Sequence, residues 1–293
     1  MNDARLRKVL GRLPGVDPEK SRVIPLSGGI TNRNFRIESG GARLVVRLGG
    51  EGARFLGIDR RREAAASRAA ASLGIGAEVV AFFPRDRALV TRFIPGRTMT
   101  PASARRPEAI RRIGRRLRQI HGGPRFPGRF SPFDSARRYA LLARRRGGPL
   151  PAEADRALSL IPALKRALGK PPAPAPCHND LLAANFLEQG RTIRIIDWEY
   201  AGMGDPDFDL GNFCVNQRLD EPQQKRLLSA YGIPASGAAL RRLSLMMLAS
   251  DLREGFWGLI QSRLSRLDFD FSAYARRHLR RFLKGARRAG LTK

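Results

Sequence analysis

The chain has 293 residues, of which 42% are hydrophobic; this excludes a disordered protein and is enough for one large domain or two lobes. It carries a net charge of +29, no apolar stretch of the roughly 20 residues that cross a bilayer, and an N-terminal segment without the apolar core of a secretory signal. Its two cysteines, Cys177 and Cys214, make no disulfide framework, so we expect a cytoplasmic protein.

The positive charge leaves two interpretations open. A basic surface can bind nucleic acid or an acidic membrane, because cationic side chains neutralise phosphates. However, only seven of the 55 basic residues are Lys, and the arginines are spread over separate segments such as 111–118, 143–146 and 275–288. We therefore expect an ordinary solvated surface and no specific nucleic-acid partner, while weak association with acidic membranes stays open.

Residues 1–93 predict a small β-rich lobe. Apolar and polar positions alternate in segments broken by Gly pairs, as in antiparallel strands joined by tight turns. An Ala-rich segment, 59–74, predicts a helix that ends at Gly74. The strand segments are 21–38, 42–50, 77–84 and 87–96. The order β-β-α-β-β gives a small antiparallel sheet with one helix, too small for a complete enzyme.

Residues 94–293 predict a larger, mostly helical lobe. Residues 106–122 repeat apolar residues at helical spacing, at Ala109, Ile110, Ile113, Leu117 and Ile120. Further helices are predicted at 135–146, 152–168, 208–219, 221–232, 240–264 and 271–290, with a short buried strand within 191–200. The sequence thus predicts an α+β protein of two lobes, and the cleft between lobes is a favoured place for a ligand.

Two features of the β-rich lobe suggest phosphate binding. Gly28 and Gly29 lie in a turn between strands, where backbone N–H groups can cradle phosphate oxygens, although for the Gly pair alone a plain hairpin turn is the better explanation. Arg47 lies in mid-strand between apolar residues and needs an anion if it points inward. Glu63, on the following helix, is its natural partner, and a strand cation paired with a helix acid positions ATP phosphates in protein kinases.

The segment CHNDLLAANFL, residues 177–187, carries the clearest chemical pattern. Asp180 and Asn185 have the spacing of the kinase loop in which the Asp accepts the substrate proton and the Asn holds Mg²⁺. Asp197 follows at the end of an apolar strand, where it can be the second Mg²⁺ ligand. A lone Asp or Asn often only caps a turn, but the joint pattern favours a phosphotransfer site.

Two further residues are predicted to support this segment. We expect His178 to brace it by hydrogen bonding, and zinc is not expected, since the three histidines are scattered and no Cys cluster exists. Asp209 lies in GDPDFDLGN, residues 204–212, whose spacing does not fit an EF-hand loop. We expect Asp209 to lie at a helix start and to accept backbone N–H bonds from the segment.

Taken together, these motifs resemble a known family. The segments SGGITNRNF, VVRL, FIPGR, HNDLLAANF, IIDWEYAG and FDLGNFC are similar to those of the choline/ethanolamine kinases, in the aminoglycoside-phosphotransferase-like, protein-kinase-like superfamily. The C-terminal FWGLIQSRLSRLDFDFSAYARR resembles the choline-kinase end, so the likeness covers about residues 22–285. It implies a two-lobed protein-kinase-like fold with a nucleotide-binding lobe at 1–93 and a catalytic and substrate-binding lobe at 94–293.

The resemblance also implies the reaction and its residues. It implies in-line phosphoryl transfer from ATP, with Mg²⁺, to the hydroxyl of choline or ethanolamine. Asp180 is the implied base, and Asn185 and Asp197 are the implied Mg²⁺ ligands, while adenine is expected against the backbone of 91–94. The implied nucleotide contacts are Gly28, Gly29, Asn32, Arg47, Glu63, Arg92, Phe93 and Ile94.

A quaternary ammonium has no N–H donors and is best held by aromatic faces. The resemblance assigns this cage to Tyr200, Trp257 and Tyr274, although core packing alone would explain aromatic residues on the last two helices. The chain departs from the eukaryotic pattern, because the usual acid and second Trp are replaced by residues 215–216 (Val-Asn) and Ile260. Our hypothesis for the missing carboxylate is Glu254, which shares a helix face with Trp257.

Other functions remain as alternatives. One is a kinase of another small cationic alcohol, such as thiamine or an aminoglycoside; the latter carries several amines and favours an acidic pocket. The other is a basic nucleic-acid- or membrane-associated protein without catalysis, against which intact Asp180, Asn185 and Asp197 argue. The partner we expect is a small-molecule alcohol, and the oligomeric state is open between monomer and homodimer.

Overall fold

The structure, a computed structural model of the protein, describes residues 3–26 and 32–292. The turn predicted at Gly28 and Gly29 lies outside the described residues. The strands are β1 (Arg22–Leu26), β2 (Asn32–Ser39), β3 (Ala42–Gly49), β4 (Val79–Phe83), β5 (Ala88–Arg92), β6 (Arg97–Thr98), β7 (Ala175–Cys177), β8 (Phe186–Gln189), β9 (Thr192–Ile195) and β10 (Gly202–Gly204). The helices are α1 (Ala4–Leu10), α2 (Arg60–Ser72), α3 (Pro101–Ala104), α4 (Pro107–His121), α5 (Pro132–Gly147), α6 (Ala152–Ser159), α7 (Ile161–Leu168), α8 (Pro206–Gln217), α9 (Glu221–Tyr231), α10 (Gly237–Leu264) and α11 (Phe271–Arg288).

The first five described strands form an antiparallel sheet in the order β1-β2-β3-β5-β4. Its core joins inward residues of the strands, such as Val46 and Val90, to Leu6 and Leu10 of α1. Two details differ from the sequence prediction. The first predicted segment forms two strands, so three strands precede α2, and α1 is an additional helix. With seven residues, α1 is too short to give a periodic pattern, and its start is fixed by the Asp3 side chain, which accepts two backbone N–H bonds.

Helix α2 connects the sheet to the helical part of the molecule. It begins after Asp59, whose carboxylate accepts N–H bonds from the first turn, and it ends before Gly74, which has a φ of +66°. Its buried Ala66 and Ala70 belong to the core that includes Ile113 of α4. Small side chains allow α2 to lie close to that core, and Glu63 is thereby held between the sheet and the helical part.

Helix α10 is the centre of the helical part and packs against α5, α8 and α11. From Leu248 to Gln261 its residues are buried on every face, as in a helix enclosed by others. The predicted helix at 152–168 is divided into α6 and α7, because Pro162 cannot donate the hydrogen bond that would continue the helix.

Short strands frame the segment that the sequence singled out. β7 pairs with β10, and β8 lies between β6 and β9, all antiparallel. Residues 178–185, the Asp180 loop, connect β7 to β8. The α+β class, with a small antiparallel sheet followed by a larger helical part, is confirmed. Within the described part of the chain, no helix is long and apolar enough to cross a membrane.

Candidate active site

The Asp180 loop is anchored by a buried carboxylate on α8. Asp209 lies in the first turn of this helix and is fully buried. Its two oxygens accept the backbone N–H groups of His178 and Asn179, each at 2.7 Å. Asn179 has a φ of +68°, which Asn tolerates better than most residues. The predicted role of Asp209 is confirmed: it shapes the loop through its backbone.

His178 braces the loop from the other side, as expected from the sequence. Its Nδ1 accepts the backbone N–H of Asp180 at 3.2 Å, so its Nε2 carries the proton and donates to the Ile196 carbonyl at 2.9 Å. Burial lowers the pKa of His178, which keeps the ring neutral in this role. The histidine thus fixes the loop relative to the segment that carries Asp197.

Two polar residues of α8 complete the support, and sequence reasoning missed both. The Asn212 side chain accepts the backbone N–H of Leu181 at 2.6 Å, and Gln217 donates to the Leu181 carbonyl at 2.8 Å. Both are fully buried. Their positions at helical spacing from Asp209, in a helix whose remaining residues are mostly apolar, were the signal that could have revealed them.

A group of three possible metal ligands, His121, Cys177 and Asp209, lies beneath the loop. The Asp209 oxygens already accept the two loop N–H groups, and one of them also contacts His121 Nε2 at 3.1 Å. Burial raises the pKa of Cys177, so it is present as a thiol rather than as the thiolate that binds metals. Hydrogen bonding therefore accounts for this group.

Asn185 and Asp197 are held next to each other and to Asp180. The Asn185 side-chain nitrogen donates to the Asp180 carbonyl at 2.8 Å, and the Asn185 carbonyl accepts the N–H of Ile196 at 2.9 Å. Asp197 follows directly, with a φ of +67° that turns the chain after β9. The structure therefore brings together the three residues that the spacing singled out.

Arg47 makes the predicted ion pair with Glu63 and a second one with Asp197. Its Nη1 lies 2.6 Å from a carboxylate oxygen of each. Although burial lowers it, the carboxylates of Asp197, Glu63 and Glu199 raise the pKa of Arg47, so the guanidinium is permanently charged. A cation of the sheet is thus joined to acids of α2 and of the segment after β9.

Arg60 and Glu199 extend this cluster and were not predicted. Arg60 Nη1 lies 2.6 Å from Glu63 and 3.1 Å from Glu199. Asn32, at the start of β2, donates to Glu199 at 2.9 Å and accepts from Arg60 at 2.5 Å. Asn32, which was predicted as a nucleotide contact, is therefore placed against the same charged cluster as Glu63.

The segment expected to meet adenine lies at the end of β5. The Arg92 N–H donates to the Glu78 carbonyl at 2.9 Å, and the Phe93 N–H donates to the Arg43 carbonyl at 3.0 Å. Ile94 is buried. Because these two N–H groups already have backbone partners, they are not free to bind a base.

Asp180 itself is close to a cation that sequence reasoning missed. Its side chain is 14% exposed, and one oxygen lies 3.4 Å from Nη1 of Arg253 on α10. Burial raises the pKa of Asp180 to about 8, while Arg253 opposes this shift by favouring the charged carboxylate.

The four residues assigned to the alcohol also meet. Trp257 Nε1 donates to the Tyr200 hydroxyl at 3.1 Å, and the rings of Trp257 and Tyr274 are 5.7 Å apart in an edge-to-face arrangement. The Tyr274 hydroxyl donates to Glu254 at 2.7 Å. A Cβ at Gly258 would lie 2.9 Å from the Tyr274 ring, so this glycine permits the close approach of α11 that brings Tyr274 here.

Arg253 lies within this group, and its side chain is only 1% exposed. Its guanidinium is 4.4 Å from the centre of the Tyr200 ring and forms an ion pair with Glu254. A cavity of about 750 Å³ is lined in part by Glu199 and Tyr200 and extends past Phe130. Tyr200 is therefore shared between this cavity and the group around Arg253.

Comparison with known proteins gives consistent results. A family model described as "Phosphotransferase enzyme family" matches residues 22–245. A probable choline kinase 2 from Arabidopsis thaliana is 28% identical, with 91% of this chain and 86% of the relative aligned. The crystal structure of a choline/ethanolamine kinase family protein from Mesorhizobium loti is 33% identical, has a TM-score of 0.83, and aligns with 98% of this chain and 96% of its own. A structure of LicA in complex with AMP is 23% identical with a TM-score of 0.77, covering 92% of this chain and 94% of LicA.

Proposed function

The chain belongs to the phosphotransferase enzyme family and is a kinase of a small-molecule alcohol; on this premise, we propose that it transfers a phosphoryl group from ATP to choline or ethanolamine. The observation that carries the proposal is the position of Asp180, which lies in a loop anchored on α8 and next to the Arg47–Glu63–Asp197 cluster. The names of the relatives support the choice of alcohol.

In the proposed reaction, the hydroxyl of the alcohol donates its proton to Asp180. Its oxygen forms a bond to the γ-phosphorus, the bond from that phosphorus to the β–γ bridging oxygen breaks, and ADP leaves. Most of the rate enhancement would come from positioning and from stabilising charge. The rigid backbone contacts of His178 and Asn179 to Asp209 serve this positioning.

The donor set of Asn185 and Asp197 fits Mg²⁺, which favours carboxylate and amide oxygens. The Asn185 nitrogen donates to the Asp180 carbonyl, which leaves Oδ1 for a metal, and Asp197 Oδ1 accepts a hydrogen bond from Arg47, which leaves Oδ2. When bound there, the ion would neutralise phosphate charge. Asn185 and Asp197 would hold it in place.

For the nucleotide, we propose that residues 1–93 form the binding lobe and residues 94–293 the catalytic and substrate-binding lobe. Arg47 would contact the phosphates, with Glu63 fixing its position. The remaining contacts of this proposal are Gly28, Gly29, Asn32, Arg92, Phe93 and Ile94. Since the N–H groups of the Arg92–Phe93 pair are bonded to the sheet, adenine would donate its amino group to backbone carbonyls of the segment.

For the alcohol, we propose that its ammonium group binds among Tyr200, Trp257 and Tyr274, with Glu254 as the carboxylate. Aromatic faces and one carboxylate suit a single small cation. Thiamine and aminoglycosides are the competing acceptors.

The pH dependence tests the role of Asp180. A base must be ionised, and the pKa of Asp180 is raised to about 8 by burial, so the active form is lost as the pH falls through this value. We expect kcat/KM to rise about tenfold per pH unit below that value and to level off above it. Measurement between pH 6 and 9.5 at saturating Mg²⁺ checks this; a flat profile contradicts the role.

A screen of acceptors tests the proposed function. We expect ATP-dependent formation of a phosphomonoester with choline or ethanolamine, and higher kcat/KM for one of these than for thiamine or aminoglycosides. Phosphorus NMR of the products distinguishes transfer from ATP hydrolysis. A preference for thiamine or an aminoglycoside would reassign the alcohol, and hydrolysis without transfer to any of them would contradict the proposal.

A further inference from the structure

The group of side chains assigned to the alcohol already contains a cation that belongs to the protein. Arg253 lies on α10 one residue before Glu254 and one turn before Trp257. Its guanidinium covers a face of the Tyr200 ring at 4.4 Å, forms an ion pair with Glu254 and lies 3.4 Å from Asp180. This is the arrangement in which an aromatic ring and a carboxylate hold a cationic ligand.

The groups that would bind a substrate ammonium are therefore engaged. One oxygen of Glu254 contacts Arg253, and the other accepts the hydroxyl of Tyr274. The Tyr274 ring already makes a cation–π contact with the protein, since the Arg277 guanidinium lies 5.3 Å from the centre of the ring. A quaternary ammonium makes no hydrogen bonds of its own, so it needs the ring face and the carboxylate that Arg253 holds.

The guanidinium is nevertheless incompletely satisfied. Its Nε and Nη2 atoms are buried, and neither has a hydrogen-bond partner within residues 3–26 and 32–292. Buried donors are nearly always paired, because leaving one unpaired costs its full desolvation penalty. The guanidinium of Arg253 therefore lacks two of the hydrogen bonds that would stabilise it in this position, which lowers the free energy needed to displace it.

We propose that Arg253 is a specificity-determining residue of the acceptor pocket: it acts as an internal cation, and an acceptor ammonium binds only by displacing it from Tyr200 and Glu254. The inference rests on the proposed function, because it concerns the same pocket. Two positive charges cannot share one carboxylate and one ring face without strong repulsion. Displacing Arg253 costs every cation binding free energy, and a hydroxyl that contacts Asp180 helps to offset this cost, so cations without a hydroxyl bind more weakly.

The test is to measure binding of tetramethylammonium and choline to the intact protein by calorimetry. Arg253→Ser vacates the ring face and removes the competing charge, so we expect both cations to bind about tenfold or more tightly than to the wild type. Arg253→Lys is the matched control: it keeps a cation beside Glu254, and we expect affinities close to those of the wild type. Free guanidinium at millimolar concentration should compete with tetramethylammonium in Arg253→Ser and not in the wild type.

Thermal unfolding is measured for each variant, and Arg253→Met, which keeps the volume and removes the charge, replaces Arg253→Ser if the latter does not fold. Equal or weaker binding of tetramethylammonium to the folded charge-free variant overturns the inference. Phosphoryl transfer is assayed separately. Tighter cation binding by the charge-free variant, without phosphoryl transfer to choline or ethanolamine by the wild type, would support the inference and reject the proposed function. Phosphoryl transfer by the wild type, without tighter cation binding by the variant, would support the proposed function and reject the inference.

Discussion

Replacing Asp180 by Asn is expected to reduce kcat by about 10³-fold or more, because the variant keeps the shape of the side chain and loses the group that accepts the hydroxyl proton. The loop itself should persist, since its geometry depends on backbone contacts to Asp209, His178 and Asn212 and not on the Asp180 carboxylate. ATP binding should therefore be largely retained. Single-turnover transfer and equilibrium binding of ATP, measured on the same preparation, separate the two effects.

A matched control is Asp155→Asn on α6. This substitution makes the same chemical change at a side chain that is about half exposed and pairs with Arg144 at the surface, so kcat should be unchanged. The assignment of Asp180 fails if Asp180→Asn keeps kcat within tenfold of the wild type. Loss of ATP binding together with activity would instead mean that the substitution disturbs the loop.

The sequence was most informative where chemistry and spacing are local. Asp180 and Asn185 are five residues apart in one segment, and the strand before Asp197 could be identified from its apolar run. Asp209 could be assigned to the support of the loop because a carboxylate at a helix start accepts backbone N–H bonds. In each case a short stretch of chain determines the local structure, and for Asp209 it also indicates the kind of contact, although the two N–H groups come from 31 and 30 positions earlier in the chain.

Contacts between distant charges were much harder to predict. Arg60 and Arg253 are two of many arginines in this chain, and composition alone suggested solvated surface for such residues. Arg60 meets Glu199, which is 139 positions away, and Arg253 meets Asp180, 73 positions away. No periodicity of the sequence connects residues at these separations. Arg60 reaches Glu199 only because of how α2 packs in the fold, and Arg253 reaches Asp180 only because of how α10 packs.

This distinction also explains why only part of the proposed acceptor site was predicted from the sequence. The resemblance named the aromatic residues, and our own hypothesis added Glu254 for the missing carboxylate; the structure brings them together. Arg253, which lies among these residues, was overlooked because a helix that is buried on all sides gives no polar face to reveal it. A buried arginine that contacts three predicted site residues is a stronger indication of specificity than any motif in that helix.

Asp197→Asn is expected to weaken Mg²⁺-dependent ATP binding and to lower kcat/KM by about 10²-fold or more. The amide keeps the volume but loses the charge that would hold a divalent cation and that pairs with Arg47 at 2.6 Å. The concentration of Mg²⁺ needed for half-maximal activity should rise. Calorimetric titration of the protein with ATP, once in Mg²⁺ and once in EDTA, measures the metal-dependent part of ATP binding directly.

Glu63→Gln is the informative comparison, because Glu63 is the other carboxylate at 2.6 Å from Arg47 and is not assigned to the metal. Removing it should loosen Arg47 and weaken ATP binding in Mg²⁺ and in EDTA alike, whereas Asp197→Asn should act mainly when Mg²⁺ is present. Equal losses in both media for both variants would mean that Asp197 acts only by orienting Arg47. The metal would then have to be held by other oxygen ligands, and the proposed roles of Asn185 and Asp197 would be wrong.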